Sequence, residues 1–121
     1  MNQIPTEHQE QAALFAWADW MATVMPELSL MFAIPNGGHR SKQTGALLKA
    51  EGVKAGVPDI CLPVPRGDKH GLYIEMKRRR GGSVSAEQLK WLEALMRKGY
   101  ECHVCRGCEE AKQAIMAYMQ D

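Results

Sequence analysis

A chain of 121 residues, 45% hydrophobic and 24% charged, suits one globular domain, residues 1–121, with enough apolar mass to bury a core without disulfide or metal staples. It contains no apolar run near the roughly 18 residues of a membrane span, no basic-then-apolar leader, no repeat and no low-complexity tract, which excludes a membrane-inserted protein and makes a cytoplasmic one the expectation. The net charge of +1 carries no message about nucleic acid, but its distribution does: residues 1–39 sum to −4, residues 40–80 to +6 and residues 81–121 to −1, a local asymmetry that a phosphate-backbone binder needs.

Thr6 followed by Gln9 forms a capping-box pattern, and Leu14, Trp17, Ala18, Met21 and Met25 recur at helical spacing until Pro26. Glu10 falls in line with Leu14, Trp17 and Met21, on the stripe that should face the core. A carboxylate there is costly unless a cation, a metal or a hydrogen-bond donor meets it. Glu7, one turn earlier, is the competing acidic residue, and both also suit a helix amino terminus. Leu28 to Ile34 reads as a first strand, followed by the turn Pro35-Asn36-Gly37-Gly38 and the polar rim His39-Arg40. Residues 41–51 read as a short helix capped by Ser41 and closed by Gly52. Lys42, Lys49 and Lys54 then precede Pro58-Asp59.

Asp59 opens the apolar run Ile60-Cys61-Leu62, and Leu72 to Lys77 alternates as a strand that sets Tyr73, Glu75 and Lys77 on one face. Pro63 to Gly71 is rich in turn residues, so the two runs are expected as neighbouring strands with Asp59 beside Glu75. Two carboxylates and a lysine would converge. Such oxygen ligands suit Mg²⁺ or Mn²⁺, which bind one or two carboxylates together with water and phosphate oxygens. Arg78, Arg79 and Arg80, followed by Gly81 and Gly82, read as a mobile basic segment able to grip phosphates. Neither GxGxxG nor GxxxxGK[ST] occurs, which argues against a phosphate-cradling loop.

Ser85 and Gln88 make a second capping box, Val84 and Leu89 a hydrophobic staple, and Leu89, Leu92, Leu95 and Met96 line one face up to Gly99. Tyr100 to Cys105 reads as a strand and Glu109 to Met119 as a last helix. Cys102, Cys105 and Cys108 spell CxxCxxC, and Cys61 is the fourth cysteine. A metal cluster is disfavoured because residues 102 and 105 of one strand face opposite sides. Small core residues are the expectation.

Pro58-Asp59 followed by Glu75-x-Lys77 looks like the PD(D/E)xK nuclease signature. IPNGGHR (34–40), KAEGVKAGVPD (49–59), GLYIEMK (71–77) and EQLKWLEALMRKGYECHVC (87–105) together resemble the VRR-NUC family, small nucleases of phages and bacteria that also occur as the terminal domain of a eukaryotic DNA-repair nuclease. The resemblance covers most of the chain. It implies an α/β, restriction-endonuclease-like αβββαβ core with a central mixed sheet flanked by helices. Asp59, Glu75 and the Met76 carbonyl would hold Mg²⁺ or Mn²⁺, an acidic residue of the first helix, best matched by Glu10, would complete the site, and Lys77 and Gln88 would stand beside the reacting groups. Asn36, His39 and Arg40 would lie at the opening, joined in contacting DNA by Lys42, Lys49, Lys54, Arg78, Arg79 and Arg80.

The implied protein is a stand-alone, homodimeric, metal-dependent endonuclease of the bacterial or phage-infected cytoplasm that cuts Holliday junctions or other branched DNA. A sequence-specific restriction-type enzyme is a second possibility, although 121 residues leave little room for base-reading parts. A catalytically silent DNA-binding module of the same fold is a third, against which the joint presence of Glu10, Asp59, Glu75 and Lys77 speaks.

Overall fold

A computed structural model describes residues 3–35 and 42–120, with the side chains of residues 42 and 43 left out. Asn36, His39, Arg40 and the expected cap Ser41 lie outside the described residues, as does the side chain of Lys42.

Thr6 caps helix α1 (Glu7–Met21), its hydroxyl accepting from Gln9 N while the Gln9 side chain accepts from Thr6 N. Downstream, the expected first strand is a 3₁₀ helix, Pro26–Leu30, followed by a two-residue strand β1 (Phe32–Ala33). The apolar run alone could not distinguish the two. Pro26 fixes the first turn, Ser29 Oγ donates to Pro26 O at 2.7 Å, and buried Leu28 anchors the turn in the core. Helix α2 (Lys42–Ala50) ends at Gly52, and strands β2 (Ile60–Leu62) and β3 (Leu72–Lys77) form the expected hairpin. Helix α3 (Ala86–Arg97), strand β4 (Glu101–Arg106) and helix α4 (Cys108–Met119) complete the chain.

The sheet runs β1-β2-β3-β4, antiparallel except for the parallel β3–β4 pair, so its topology is that of a mixed αβββαβ core. Leu72, Ile74 and Met76 project from β3 into the core beside Leu14 and Ala18 of α1 and Ala111, Ile115 and Tyr118 of α4. Each fully buried aliphatic side chain contributes roughly 1.5–3 kcal/mol, enough in sum to fix which face of β3 looks inward. Tyr73, Glu75 and Lys77 therefore face the other way, toward α3.

Helix α3 is rotated from the expected face. Leu92 is buried, but Leu89 and Met96 are 51% and 47% exposed. The residues turned inward are Gln88, Trp91, Leu92 and Leu95. That rotation brings a polar side chain over β3. Among the described residues no helix is long and apolar enough to cross a membrane.

Candidate active site

Ile60 pairs with Ile74 across β2 and β3, and the same antiparallel register continued by one residue sets Asp59 opposite Glu75. Asp59 is fixed there from both sides: its Oδ2 accepts from Met76 N at 2.7 Å and its carbonyl accepts from Ile34 N at 2.7 Å. The approach to Asp59 is tight. Gly56 has φ +88°, and a Cβ there would lie 2.9 Å from the Glu87 backbone, so the turn packs directly on the start of α3 in a way open only to glycine.

Glu75 and Lys77 are 1% and 6% exposed. Gln88 joins them. Its Oε1 accepts from Ser85 N at 2.9 Å and from Lys77 Nζ at 3.0 Å, and its Nε2 donates to Glu75 Oε2 at 3.0 Å. Two donors facing one oxygen fix which way the amide points. The capping and site readings of Gln88 are thus both present in one side chain. Lys77 Nζ lies 3.8 Å from Glu75 Oε2, close enough for charge attraction but beyond a good hydrogen bond.

Burial pushes the Glu75 carboxyl up to about 8; the neighbouring Asp59 charge and hydrogen bond add to the rise, Lys77 opposes it, and Glu7 adds further. Meanwhile Glu75 Oε1 is buried and, among the described residues, has no hydrogen-bond partner. Two adjoining carboxyls, one with an unmet buried oxygen, require a positive centre between them, either a proton or a cation. Hard oxygen donors of this kind fit a small divalent ion, with water and phosphate oxygens supplying the remaining positions. Among the described residues no three His, Cys, Asp or Glu side chains form a metal-holding group by themselves.

Glu10 has other partners. Its carboxylate is 2% exposed, with Oε2 accepting from Arg79 Nε at 2.7 Å and Oε1 accepting from Cys108 N at 3.0 Å. Gly107, the residue before α4, has no side chain with which to cap that helix, so Glu10 caps it from a distant part of the chain. A Cβ on Gly107 would lie 2.9 Å from Arg79 Cγ and 3.3 Å from Glu10 Oε2. The first-helix carboxylate whose field reaches Glu75 is Glu7. A stripe through Ala18 and Leu14 carried back along α1 passes Gln11 and reaches Glu7, a sequence signal parallel to the one through Glu10.

The basic segment after β3 is tied down rather than mobile. Arg78 donates to Ile4 O and Pro5 O at 3.0 and 3.3 Å, Arg79 is held by Glu10, and Arg106 donates to the carbonyls of Arg78, Gly81 and Gly82 at 3.1, 2.7 and 3.2 Å. Nothing in the sequence announced Arg106, because its partners are backbone carbonyls remote in the chain. Arg80, Lys49 and Lys54 are exposed.

The cysteines separate as their spacing implied. Cys105 aligns with Met76 on the core face, Cys102 with Tyr73 on the α3 face, and Cys108 starts α4. All four are free thiols. Burial pushes the Cys102 and Cys105 thiols up to about 11.

The VRR-NUC domain family model matches residues 4–109. The chain belongs to the VRR-NUC family. A solved structure described as a VRR_NUC domain protein is 26% identical, covers 98% of this chain and 92% of its own, and superposes with a TM-score of 0.81. A comparison with curated proteins found no match. As a VRR-NUC member the chain is a nuclease domain, with nucleic acid as its partner, and the αβββαβ fold expected from its motifs is the one observed.

Proposed function

We propose that this VRR-NUC domain is a Mg²⁺- or Mn²⁺-dependent DNA endonuclease acting on branched DNA, such as flaps or four-way junctions. The observation that carries the reading is Glu75 Oε1, buried beside Asp59 and without a hydrogen-bond partner among the described residues. Asp59, Glu75 and the Met76 carbonyl would hold the ion, with Glu7 reaching it from α1 in place of Glu10, whose two oxygens are already engaged. A divalent cation bound there would neutralise charge on the scissile phosphate and acidify a water. Glu75 would have to be deprotonated to hold such an ion. Lys77, steadied by Gln88, orients the attacking water and stabilises negative charge developing on the phosphate oxygens; its role is electrostatic and positional.

Preference for branched DNA rests on the make-up of the fold, since the described elements build one sheet with its flanking helices and leave no separate base-reading unit among them. A homodimer is proposed because symmetric cutting of two strands calls for two sites related by a two-fold axis.

The test is cleavage of matched linear, flapped and four-way-junction DNA in Mg²⁺, Mn²⁺ or EDTA, with Asp59→Asn as control. Metal-dependent cutting of the branched substrates, lost in Asp59→Asn, supports the proposal. Cutting in EDTA, or binding without cutting under all conditions, refutes it.

A further inference from the structure

Next to the catalytic groups, α3 and α2 enclose an open cleft of about 660 Å³ lined by Leu48, Lys49, Val53, Lys54, Glu87 and Trp91 among others. A second cleft of about 400 Å³ adjoins it, and Val53, Lys54 and Trp91 line both. Trp91 is half-buried on the inward face of α3, and its indole stands where the two clefts share a border. We infer that this cleft is a nucleobase pocket, in which an unpaired base of the DNA stacks on Trp91 while Lys49 and Lys54 meet its flanking phosphates. The inference rests on the nuclease reading and deepens it by naming what distinguishes branched from linear DNA.

Three features point to a nucleotide. An indole offers a π face to any base, and stacking of that kind is tolerant of sequence. Lys49 and Lys54 are exposed and, among the described residues, form no ion pair, so their charge is available to phosphate. Glu87 adds one carboxylate to the lining, suited to accept from an exocyclic amine on a base edge. An aromatic plane, two cations and one acceptor are complementary to a nucleotide, and a purely apolar partner would leave all three charges unmet.

Position gives the pocket its use. Trp91 lies one helical turn from Gln88, about 4.5 Å along the axis, and Gln88 touches both Glu75 and Lys77. Val57 of the adjoining cleft lies two residues before Asp59. The turn carrying Lys54 is braced on α3 through Gly56 and Glu87, so the pocket is fixed relative to the catalytic groups. A base held there sits next to the phosphate being cut. Paired bases remain stacked in the helix and cannot enter, whereas a junction or flap presents bases already free to do so.

The test uses flapped DNA with 2-aminopurine at successive positions and a blunt duplex of matched sequence, both in EDTA. Wild type, Trp91→Phe and Trp91→Leu are compared, the leucine variant filling space without a π face. The expected result is quenching at one position near the branch by wild type and Trp91→Phe. Trp91→Leu should lose that quenching and bind the flap about tenfold more weakly, with duplex affinity changed less than about twofold and the thermal midpoint close to wild type. Unchanged flap binding and quenching in Trp91→Leu would overturn the proposal, as would equal losses on flap and duplex in a folded variant. A dimer that Trp91→Leu dissociates without altering the quenching would assign the cleft to a second copy of the chain. Wild-type protein that binds neither DNA would refute the nuclease reading itself.

Discussion

The side-chain amide of Gln88 donates to Glu75 Oε2 at 3.0 Å, so the residue that caps α3 also holds the buried carboxyl of β3. Helix register and site geometry are coupled through this bond. Gln88→Ala should leave Ser85 N without its partner and Glu75 Oε2 without its donor, costing about 1–3 kcal/mol of stability and slowing DNA cleavage at least tenfold, the equivalent of about 1.4 kcal/mol. Gln88→Glu keeps an acceptor for the cap but sets a third carboxylate against Glu75. It should melt closer to wild type than Gln88→Ala while cutting no better. Denaturant melts and single-turnover cleavage separate the two effects, and a fully active Gln88→Ala would show that the bond to Glu75 is idle.

The two acids of α1 should divide stability from activity. Glu10 pairs with Arg79 and caps α4, so Glu10→Ala should destabilise the fold. Arg79 is 57% exposed and returns to water when its partner is removed, which confines the cost mainly to the orphaned amide of Cys108, about 1–3 kcal/mol. Glu7 is exposed and adds to the field at Glu75. Glu7→Gln should melt within about 0.5 kcal/mol of wild type and lose metal-dependent cleavage. The reverse pattern would return the site role to Glu10.

Stability of the metal-free protein should fall as pH rises. The Glu75 carboxyl, ordinarily near 4.5, is pushed up to about 8 in the fold, so between those values the folded state binds a proton that the unfolded state releases. Its contribution is fully present below about pH 4.5 and is lost as pH rises through about 8. Urea midpoints measured in EDTA should therefore decline across this window for wild type, with a flatter profile for Glu75→Gln. Mg²⁺ or Mn²⁺ should stabilise wild type more at pH 8 than at pH 6, because the competing proton is then leaving. Parallel profiles for wild type and Glu75→Gln would remove Glu75 as the titrating group.

The cysteines should be chemically quiet. With Cys102 and Cys105 pushed up to about 11 and Cys61 and Cys108 also raised by burial, little thiolate is present at neutral pH. Reaction with a disulfide reagent at pH 7.5 should be slow until the protein unfolds, and elemental analysis should find no stoichiometric zinc or iron. Stoichiometric zinc lost from Cys102→Ser would reverse this assignment.

Local chemistry made most of the fold legible in the sequence. The capping boxes at Thr6 and Ser85 mark where α1 and α3 begin, and the alternation of Leu72 to Lys77 fixes which side chains of β3 enter the core. Asp59 beside Glu75 followed from turn residues between two apolar runs. What escaped were matters of tertiary competition. The run from Leu28 to Ile34 is apolar enough for a strand, yet Pro26 and Ser29 close a 3₁₀ turn that takes in its start, up to Leu30, and leaves only Phe32–Ala33 as strand. Leu89 and Met96 share the helical spacing of Leu92, but the sheet edge covers only one stripe of α3 and selects Gln88 and Trp91 instead. Glu10 and Glu7 lie on neighbouring stripes of one helix, and only the position of Arg79 and the start of α4 separate their partners.

The most direct test of the central claim is single-turnover cleavage of flapped DNA in Mn²⁺ by wild type and Lys77→Ala, with melting curves to confirm that both are folded. Removing a preorganised charge that acts on the transition state costs about 10²- to 10³-fold in rate, so the variant should bind the flap with near wild-type affinity and cut it at least a hundredfold more slowly, with no cutting by either protein in EDTA. Equal rates for the two proteins, or cutting by wild type that persists in EDTA, would contradict a metal-dependent nuclease built on Asp59, Glu75 and Lys77.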